Sequence, residues 1–250
     1  SKYGGLVRGG TGNASAPHAD SRWMAFDADG NLIEVDDGGI YKLTDPLGNT
    51  GDWYSLCGDL CVIEVHSMAY DRNNDKVLVG SQDNGTILGN ALSAESLWGG
   101  DGGDCHVIQP DQNTTSYVYS SQNGYGLQID NPHSSTDSFY LSWAWNRTQF
   151  TPKTALNEIT NKHIAVEILA EENITGGIYV SDISNSNSAN SASRKITASE
   201  YNDETVFKIL HGHTSNEDAL FVASKKHLVW RFDDIISKID FTNDLVSETF

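Results

Sequence analysis

The sequence predicts an all-β protein, a β-propeller of about five four-stranded blades, each of roughly 40 to 50 residues. Three observations predict this fold class. Short apolar segments alternate with polar turns, amphipathic helical periodicity is scarce, and one strand-and-turn pattern recurs roughly every 40 to 45 residues. A chain of 250 residues that is 38% hydrophobic can also bury the core that such a fold needs.

The first three repeats carry the pattern most clearly, and they begin at Arg22, His66 and His106. Each has an apolar strand, an Asp-led turn, a second strand, a Gly-centred turn and a third strand. The Asp-led turns read "DADGN", "DRNND" and "DQNTT", and the Gly-centred turns read "EVDDGGI", "GSQDNGT" and "SSQNGYG". Asp and Asn side chains bond to nearby backbone and Gly adopts positive φ, so we expect these phrases to turn the chain between strands.

The pattern continues more weakly in residues 152–183 and 207–234, and "DDIISKIDF" near the end fits either a strand or a helical turn. We therefore predict a single propeller domain over residues 1–250. Its repeats are predicted at residues 18–57, 62–104, 105–145, 150–197 and 203–250. The chain starts without Met or a signal-like segment, so we expect it to be part of a longer chain whose ring can hold further blades.

The charge of the chain limits its partners. Its formal net charge is -18, from 34 acidic and 16 basic residues spread along the sequence. Nucleic acids and anionic membrane surfaces favour basic patches, so we expect neither as a partner. No apolar stretch approaches the roughly 20 residues of a membrane-spanning helix, so we also expect no membrane insertion. An extracellular or cell-surface protein kept soluble by its acidity fits this composition better.

Two further features favour a location outside the cell. Five sequons can accept N-glycans in a eukaryotic secretory pathway, at Asn13, Asn84, Asn113, Asn146 and Asn173. A surface rich in Asn, Ser and Thr also produces such triplets by chance. Three cysteines are too few for a disulfide scaffold, but "CGDLC" allows a local disulfide between Cys57 and Cys61, which would leave Cys105 buried or free.

Residues 18 to 130 resemble a known family through the segments "HADSRWMAFDADGNLIEVDDGGIYKLTD", "GSQDNGT" and "GGDGGDCHVIQPDQNTTSYVYSSQNGYGLQI". These are similar to the secreted BNR/Asp-box and sortilin-like propellers, whose Asp-box hairpin appears in degenerate form as "TDPLGNTGDW" (residues 44–53). The resemblance implies the propeller fold. It leaves function open, because such rings occur in sialidases, glycoside hydrolases, sorting receptors and matrix proteins.

The candidate site residues are acidic. A glycoside hydrolase needs two carboxylates flanking the bond, and Asp20 and Asp101 lie in the least turn-like contexts, so they are the catalytic candidates if the protein is an enzyme. Four further carboxylates of the repeated turns are candidates for ligand binding: Asp36, Asp37, Asp83 and Asp104. Recurrence in every repeat also fits a purely structural turn role, since a catalytic pair is needed only once.

No cofactor is required by any motif, and calcium is the one candidate ion. "DADGN" begins like a calcium loop, with Asp27, Asp29 and Asn31 as ligands, but it lacks the later Glu of an EF-hand. Five histidines fall about once per repeat, which we interpret as residues at strand starts that face a neighbouring blade's Asp or Trp: His18, His66, His106, His163 and His213. The leading hypothesis is a binding or structural module for a glycan, an extracellular protein or copies of itself. The alternative is a glycoside hydrolase.

Overall fold

The computed structural model describes residues 7–8, 15–48, 51–60, 62–122, 128–130, 139–144, 147–184 and 191–241. These residues form mostly β-strands, and their only helices are two short 3-10 helices, at Ser142–Ala144 and Ala198–Tyr201. The chain divides into two compact units, Ser1–Glu64 and Val65–Phe250, and each is described by itself.

The first unit contains one antiparallel ribbon and one four-stranded antiparallel sheet. The ribbon pairs β1 (Val7–Arg8) with β2 (Ser15–Ala16). The first sheet contains β3 (Trp23–Phe26), β4 (Leu32–Asp36), β5 (Gly39–Leu43) and β6 (Trp53–Ser55).

The second unit contains four more four-stranded antiparallel sheets, and in each of them every strand pairs with the next along the chain. The second sheet contains β7 (Val65–Asp71), β8 (Lys76–Ser81), β9 (Gly85–Gly89) and β10 (Ala94–Trp98). The third contains β11 (Gly102–Ile108), β12 (Ser116–Ser121), β13 (Gln128–Asp130) and β14 (Phe139–Tyr140). The fourth contains β15 (Thr154–Leu156), β16 (His163–Ile168), β17 (Gly177–Asp182) and β18 (Ala192–Thr197). The fifth contains β19 (Val206–His213), β20 (Asn216–Ser224), β21 (His227–Phe232) and β22 (Ile235–Asp240).

Five successive four-stranded antiparallel sheets are the blades of a β-propeller, so the predicted fold class is confirmed. The sheets correspond one to one with the predicted repeats, although the third begins at Gly102, ahead of the predicted residue 105. The segment "DDIISKIDF" forms a strand rather than a helical turn. Asp233 and Asp234 turn the chain with φ of 48° and 64°, and β22 follows them. The single-domain assignment and the number of blades in an intact ring stay predictions.

The core of the second unit lies between neighbouring sheets. Three buried clusters fill these spaces. Between the second and third sheets the cluster contains Leu78, Leu88, Cys105, Tyr117 and Tyr119. Between the third and fourth it contains Ile108, Val118, Leu141, Leu156, Ile164 and Val166, and Trp143 packs against it. Between the fourth and fifth it contains Ile178, Ile196, Tyr201, Ile209, Leu220 and Val229.

The Asp-led turns work as the sequence predicts. The Asp71 carboxylate accepts hydrogen bonds from the backbone amides of Asn73 and Asn74, at 3.0 and 3.1 Å. The Asp111 carboxylate likewise accepts hydrogen bonds from the backbone amides of Asn113 and Thr114, at 2.7 and 2.8 Å. In the fourth sheet Asn157 replaces the Asp and its side-chain oxygen accepts two amides at 3.1 Å. The repeated phrase is therefore a hydrogen-bonded turn between the first and second strands of a blade.

The Gly-centred turns join the second and third strands. In the second sheet Asp83 and Gly85 adopt φ of 59° and 71°, a left-handed conformation that Gly and Asp tolerate better than most residues. The matching turn of the third repeat lies outside the described residues. Gly80 lies just before this turn, and the close packing of the neighbouring sheet requires a glycine there. A Cβ at this position would overlap the carbonyl oxygen of Gly103 on that sheet.

Candidate functional site

Most turn carboxylates that the sequence proposed as site residues bond to backbone. The backbone amide of Asp83 donates to the Asp101 carboxylate at 2.8 Å, and the Asp101 carbonyl accepts the Ser121 hydroxyl at 2.9 Å. Asp20 is exposed, with φ of 63°. Because Asp20 and Asp101 belong to different compact units, their pairing as hydrolase carboxylates stays a prediction.

In the first unit, Asp37 forms an ion pair. Its carboxylate accepts two hydrogen bonds from the Arg22 guanidinium, at 2.6 and 2.9 Å, and the same guanidinium reaches Glu64 at 3.0 Å. The ion pair is bidentate, so both carboxylate oxygens of Asp37 are bound to the Arg22 guanidinium. A ligand-binding role for Asp37, which stays a prediction, would therefore require this pair to open.

Asp36 is internal rather than exposed at the rim, since only 4% of it is accessible. One oxygen accepts the Gly38 amide at 2.8 Å, and the other has no partner among the described residues. Burial raises the pKa of Asp36, and the buried Glu34 nearby acts in the same direction. Burial and the charge of Asp36 in turn raise the pKa of Tyr41 to about 12.

The calcium candidates form a compact turn. The Asp27 carboxylate accepts the backbone amides of Asp29 and Asn31, at 3.0 and 2.8 Å, and also the side-chain amide of Asn31. The Asn31 hydrogen bonds lower the pKa of Asp27. The turn is thus complete without an ion, and calcium binding by these three residues stays a prediction.

The glycosylation and disulfide predictions fall partly outside the described residues. Asn113 and Asn173 are exposed, whereas the Asn84 side chain donates to the carbonyl of Gln82 at 3.0 Å. Asn13 and Asn146 lie outside the described residues. Cys57 is a free, buried thiol in the structure, and its predicted partner Cys61 is outside the described residues, so the disulfide stays a prediction. Cys105 is free and buried, as expected.

Asp104 joins three neighbouring sheets of the second unit. It lies on β11 and accepts the Ser67 hydroxyl from β7 at 2.8 Å. It also accepts the backbone amide and the hydroxyl of Thr154 on β15, at 3.1 and 2.7 Å. Burial alone would raise the pKa of Asp104, but His106 and these donors hold it below its ordinary value. These contacts of Asp104 are with the first strands of adjacent sheets, and its predicted role in ligand binding stays a prediction.

Beside this network lies a cleft of about 320 Å³, which we call the histidine cleft. Its polar lining comes from β11, from β15 and the turn after it, and from β19: His106, Thr154, Glu158, Lys208 and His211. Leu156, Ile159 and Leu210 add apolar walls. The two histidines are fixed differently. The Nε2 of His106 lies 2.7 Å from the Thr154 hydroxyl, whereas the Nδ1 of His211 is buried without a partner among the described residues.

Both imidazoles of the histidine cleft are neutral at neutral pH. Burial lowers the pKa of His211 to about 4, and the ring of His163, 6.5 Å away, adds to this effect. Burial also lowers the pKa of His106, against the opposing charge of Asp104. A neutral imidazole has one donor and one acceptor nitrogen. Together with the exposed ammonium of Lys208 and carboxylate of Glu158, the cleft offers donors and acceptors within a small volume.

Sequence reasoning found part of this site. His106 was expected at a strand start facing a neighbouring blade's Asp or Trp. It lies instead within β11, 3.8 Å from Asp104 of its own strand, and its Nε2 contacts Thr154 of the next sheet. Glu158, Lys208 and His211 were missed, because nothing in their spacing matches a known motif. "LHGH", with two histidines in an apolar segment, was the one available signal.

The following similarities to known proteins concern the sequence and the fold. No protein-family model matches the sequence, and no curated protein matches it. Solved structures are similar at low identity. BBS1N in complex with ARL6DN is 13% identical over 93% of this chain and 72% of that chain, with a TM-score of 0.48. The Myceliophteria thermophila Cps50 (Swd1) β-propeller domain is 10% identical over 91% and 67%, with a TM-score of 0.44. The extracellular domain of BT4673 from B. thetaiotaomicron is 14% identical over 97% and 34%, with a TM-score of 0.46.

These likenesses, all with TM-scores below 0.5, support no argument about function. Among the described residues there is no helix that is both long and apolar enough to cross a membrane. The five four-stranded sheets themselves identify the chain as a protein of the β-propeller fold class.

Proposed function

We propose that the protein is a binding module that holds a glycan or a similar polyhydroxylated ligand in the histidine cleft. The observation that carries this proposal is the pairing of a small cleft with neutral imidazoles. At about 320 Å³ the cleft lies at the lower end of the volumes typical of small-molecule sites, about 300 to 1,000 Å³. Sugar hydroxyls both donate and accept hydrogen bonds, which matches what the lining of the cleft offers.

The charges of the cleft favour a neutral ligand over a strongly charged one. Lys208 and Glu158 carry opposite charges, so they balance each other at the mouth of the cleft. The apolar side chains of Leu156, Ile159 and Leu210 can pack against the C–H faces of a sugar ring. A hydrolase is less well supported, because Asp101 already accepts a turn hydrogen bond.

The test is a binding titration with a panel of neutral mono- and disaccharides, followed by saturation-transfer NMR. We expect Glu158→Gln and Lys208→Ala to weaken binding about tenfold or more, because each removes a charge-assisted hydrogen bond. The matched controls are Glu171→Gln and Lys225→Ala, which change exposed charges outside the cleft. No binding by any saccharide, or equal losses in the two sets, would overturn the proposal.

We also propose that the protein works outside the cell and belongs with the BNR/Asp-box and sortilin-like propellers that its first three repeats resemble. Support comes from the sequons, since Asn113 and Asn173 are both exposed. Asn84 should stay unoccupied because it bonds to Gln82 and because Thr86 of the same sequon is fully buried. Intact mass before and after N-glycosidase treatment of protein from a eukaryotic host tests this. Glycans at Asn113 and Asn173 are expected, and an unmodified chain would contradict it.

A further inference from the structure

A second cleft of the second unit contains the most unusual carboxyl group of the described residues. Its volume is about 450 Å³, and it lies between the end of β16 and the segment that leads from β18 to β19. We call it the glutamate cleft. Its polar lining is Gln149, Glu167, Tyr201, Asp203, Glu204 and Thr205, and Leu169 and Ala170 belong to its apolar wall.

Glu167 is an acid buried in the middle of a strand. Only 1% of it is exposed, and its carboxylate accepts a hydrogen bond from the side-chain amide of Gln149. That amide is held in place by a second bond, to the carbonyl of Val206 at 3.0 Å. Burial raises the pKa of Glu167 to about 7, and Gln149, Lys153 and the Val206 amide offset this only in part. The chain therefore maintains, at some cost, an acid that changes charge near neutral pH.

Tyr201 supplies the independent sign of a ligand. Only 2% of it is exposed and it lines the glutamate cleft, yet its hydroxyl takes part in none of the hydrogen bonds of the described residues. Burial raises the pKa of this phenol, and the charges of Glu167 and Asp203 act in the same direction, so it stays a hydrogen-bond donor. The Tyr201 oxygen is not one of the fully buried polar atoms that lack a partner, so the hydroxyl opens into the cleft and has no partner there among the described residues. A bound molecule would provide one here.

The charges of the glutamate cleft determine the kind of ligand. Asp203 and Glu204 line it together with Glu167, and none of its described lining residues is basic. Lys153 acts on Glu167, and His227 binds Glu204 at 3.1 Å, but neither lines the cleft. Within the described part of the second unit, no three acidic, histidine or cysteine ligand atoms lie close enough together to hold a metal ion. An organic cation fits this lining better than an anion or a metal ion.

We propose that the glutamate cleft binds a small organic primary ammonium ion, with its ammonium group between Glu167 and the Tyr201 hydroxyl and its carbon chain against Leu169 and Ala170. This site is separate from the histidine cleft and its saccharide ligand. Binding an ammonium ion favours the charged form of Glu167, so Glu167 should release a proton as the ligand binds. Affinity should then rise with pH until Glu167 is fully ionised.

The test is an NMR and calorimetric titration with n-butylammonium, using n-butanol as the uncharged ligand of similar shape. With the pKa of Glu167 at about 7, we expect n-butylammonium to bind about tenfold more tightly near pH 8 than near pH 6, and n-butanol to bind weakly at both. Calorimetry in two buffers of different ionisation enthalpy should show release of close to one proton near pH 6.

Two variants locate the effect. Glu167→Gln should weaken n-butylammonium binding at least tenfold and remove its pH dependence, whereas the exposed Glu171→Gln should change neither. If the affinity of Glu167→Gln for n-butylammonium still depended on pH, a group other than Glu167, such as His227 or Glu204, would be the cause. That result would overturn the proposal. Tyr201→Phe, which keeps the ring, should weaken binding severalfold, and it keeps the test valid if Glu167→Gln does not fold. Equal binding of n-butylammonium and n-butanol would also overturn it.

Discussion

Asp101 and Asp104 lie three residues apart and use the same chemical group in different ways. Asp101 precedes β11 and accepts a backbone amide from a turn, that of Asp83. Asp104, within β11, accepts hydrogen bonds from Ser67 on one neighbouring sheet and Thr154 on another. The first contact joins a turn of the second blade to the connection between the second and third blades, and the second set depends on how three blades pack.

The difference extends to the other carboxylates. In the turns after the first strands, Asp27 accepts the side-chain and backbone amides of Asn31, and Asp111 accepts the backbone amide of Asn113. These bonds lower the pKa values of both carboxyl groups. Glu167, within a strand, is surrounded by side chains of other elements, and burial raises its pKa to about 7. Asp27 and Asp111 are therefore satisfied by nearby amides, whereas Asp104 and Glu167 depend on contacts with other strands and segments.

The largest expected effect comes from breaking the Asp104 network. Asp104→Ala should lower the free energy of unfolding by about 3 to 5 kcal/mol, because it removes the charged acceptor of three hydrogen bonds, from the Ser67 hydroxyl and from the amide and hydroxyl of the buried Thr154. Asp101→Ala, which removes one turn acceptor, should cost about 1 kcal/mol. Urea denaturation of both variants measures the contrast. Similar losses would mean that the strand carboxylate is no more important than the turn one.

His211 should make the fold sensitive to mild acid. Its folded pKa of about 4 is below the ordinary 6.5, so the unfolded chain binds the extra proton between these values. The free energy of unfolding should be unaffected above about pH 6.5 and should fall by about 3 kcal/mol as the pH drops to about 4. His211→Phe should remove this part of the acid dependence, measured by denaturation across this range. The exposed His213→Phe is the control, and an equal change there would contradict the assignment.

Glu167 should have the opposite dependence. Its folded pKa of about 7 is above the ordinary 4.5, so the folded chain holds the extra proton between these values, and stability falls as the pH rises through this window. Glu167→Gln should raise the free energy of unfolding by about 1 to 3 kcal/mol near pH 8 and change it little near pH 4. The control Glu171→Gln should show no such difference. An equal effect of Glu167→Gln at both pH values would show that its charge is not the cause.

The turn carboxylates should give the smallest effects. Asp111→Asn should leave thermal stability close to that of the wild type, because the Asn side-chain oxygen can accept the same two backbone amides. Asp111→Ala should lower the melting temperature slightly, since those amides then bond only to water. A large loss in either variant, measured by thermal denaturation, would show that this turn does more than reverse the chain.

The sequence predicted the fold and its turns because both follow from local rules that recur. Repeated Asp-led phrases and alternating apolar residues specify hairpins wherever they occur, and so the blade count could be read directly. The clefts could not be read this way. Tyr201 and His211 become neighbours of Glu167 and His106 only when the third, fourth and fifth sheets pack together.

One sequence signal was available for the glutamate cleft. Glu167 interrupts the otherwise apolar segment "IAVEILA", and a charged residue in the middle of a buried strand needs a specific reason. Asp104 shows the opposite case. The sequence predicted it in a repeated turn, yet it lies within β11, and the small residues Gly102 and Gly103 are where β11 packs closely against its neighbours.

The most direct measurement of the contrast between Glu167 and the hydrogen-bonded carboxylates of Asp104 and Asp111 is an NMR titration of the side-chain carboxyl carbons over a wide pH range. We predict that Glu167 titrates near pH 7, while Asp104 and Asp111 titrate below the ordinary 3.8. A Glu167 midpoint near the ordinary 4.5 would contradict the account, because the carboxyl would then be solvated and the glutamate cleft would lack its proton-linked acid.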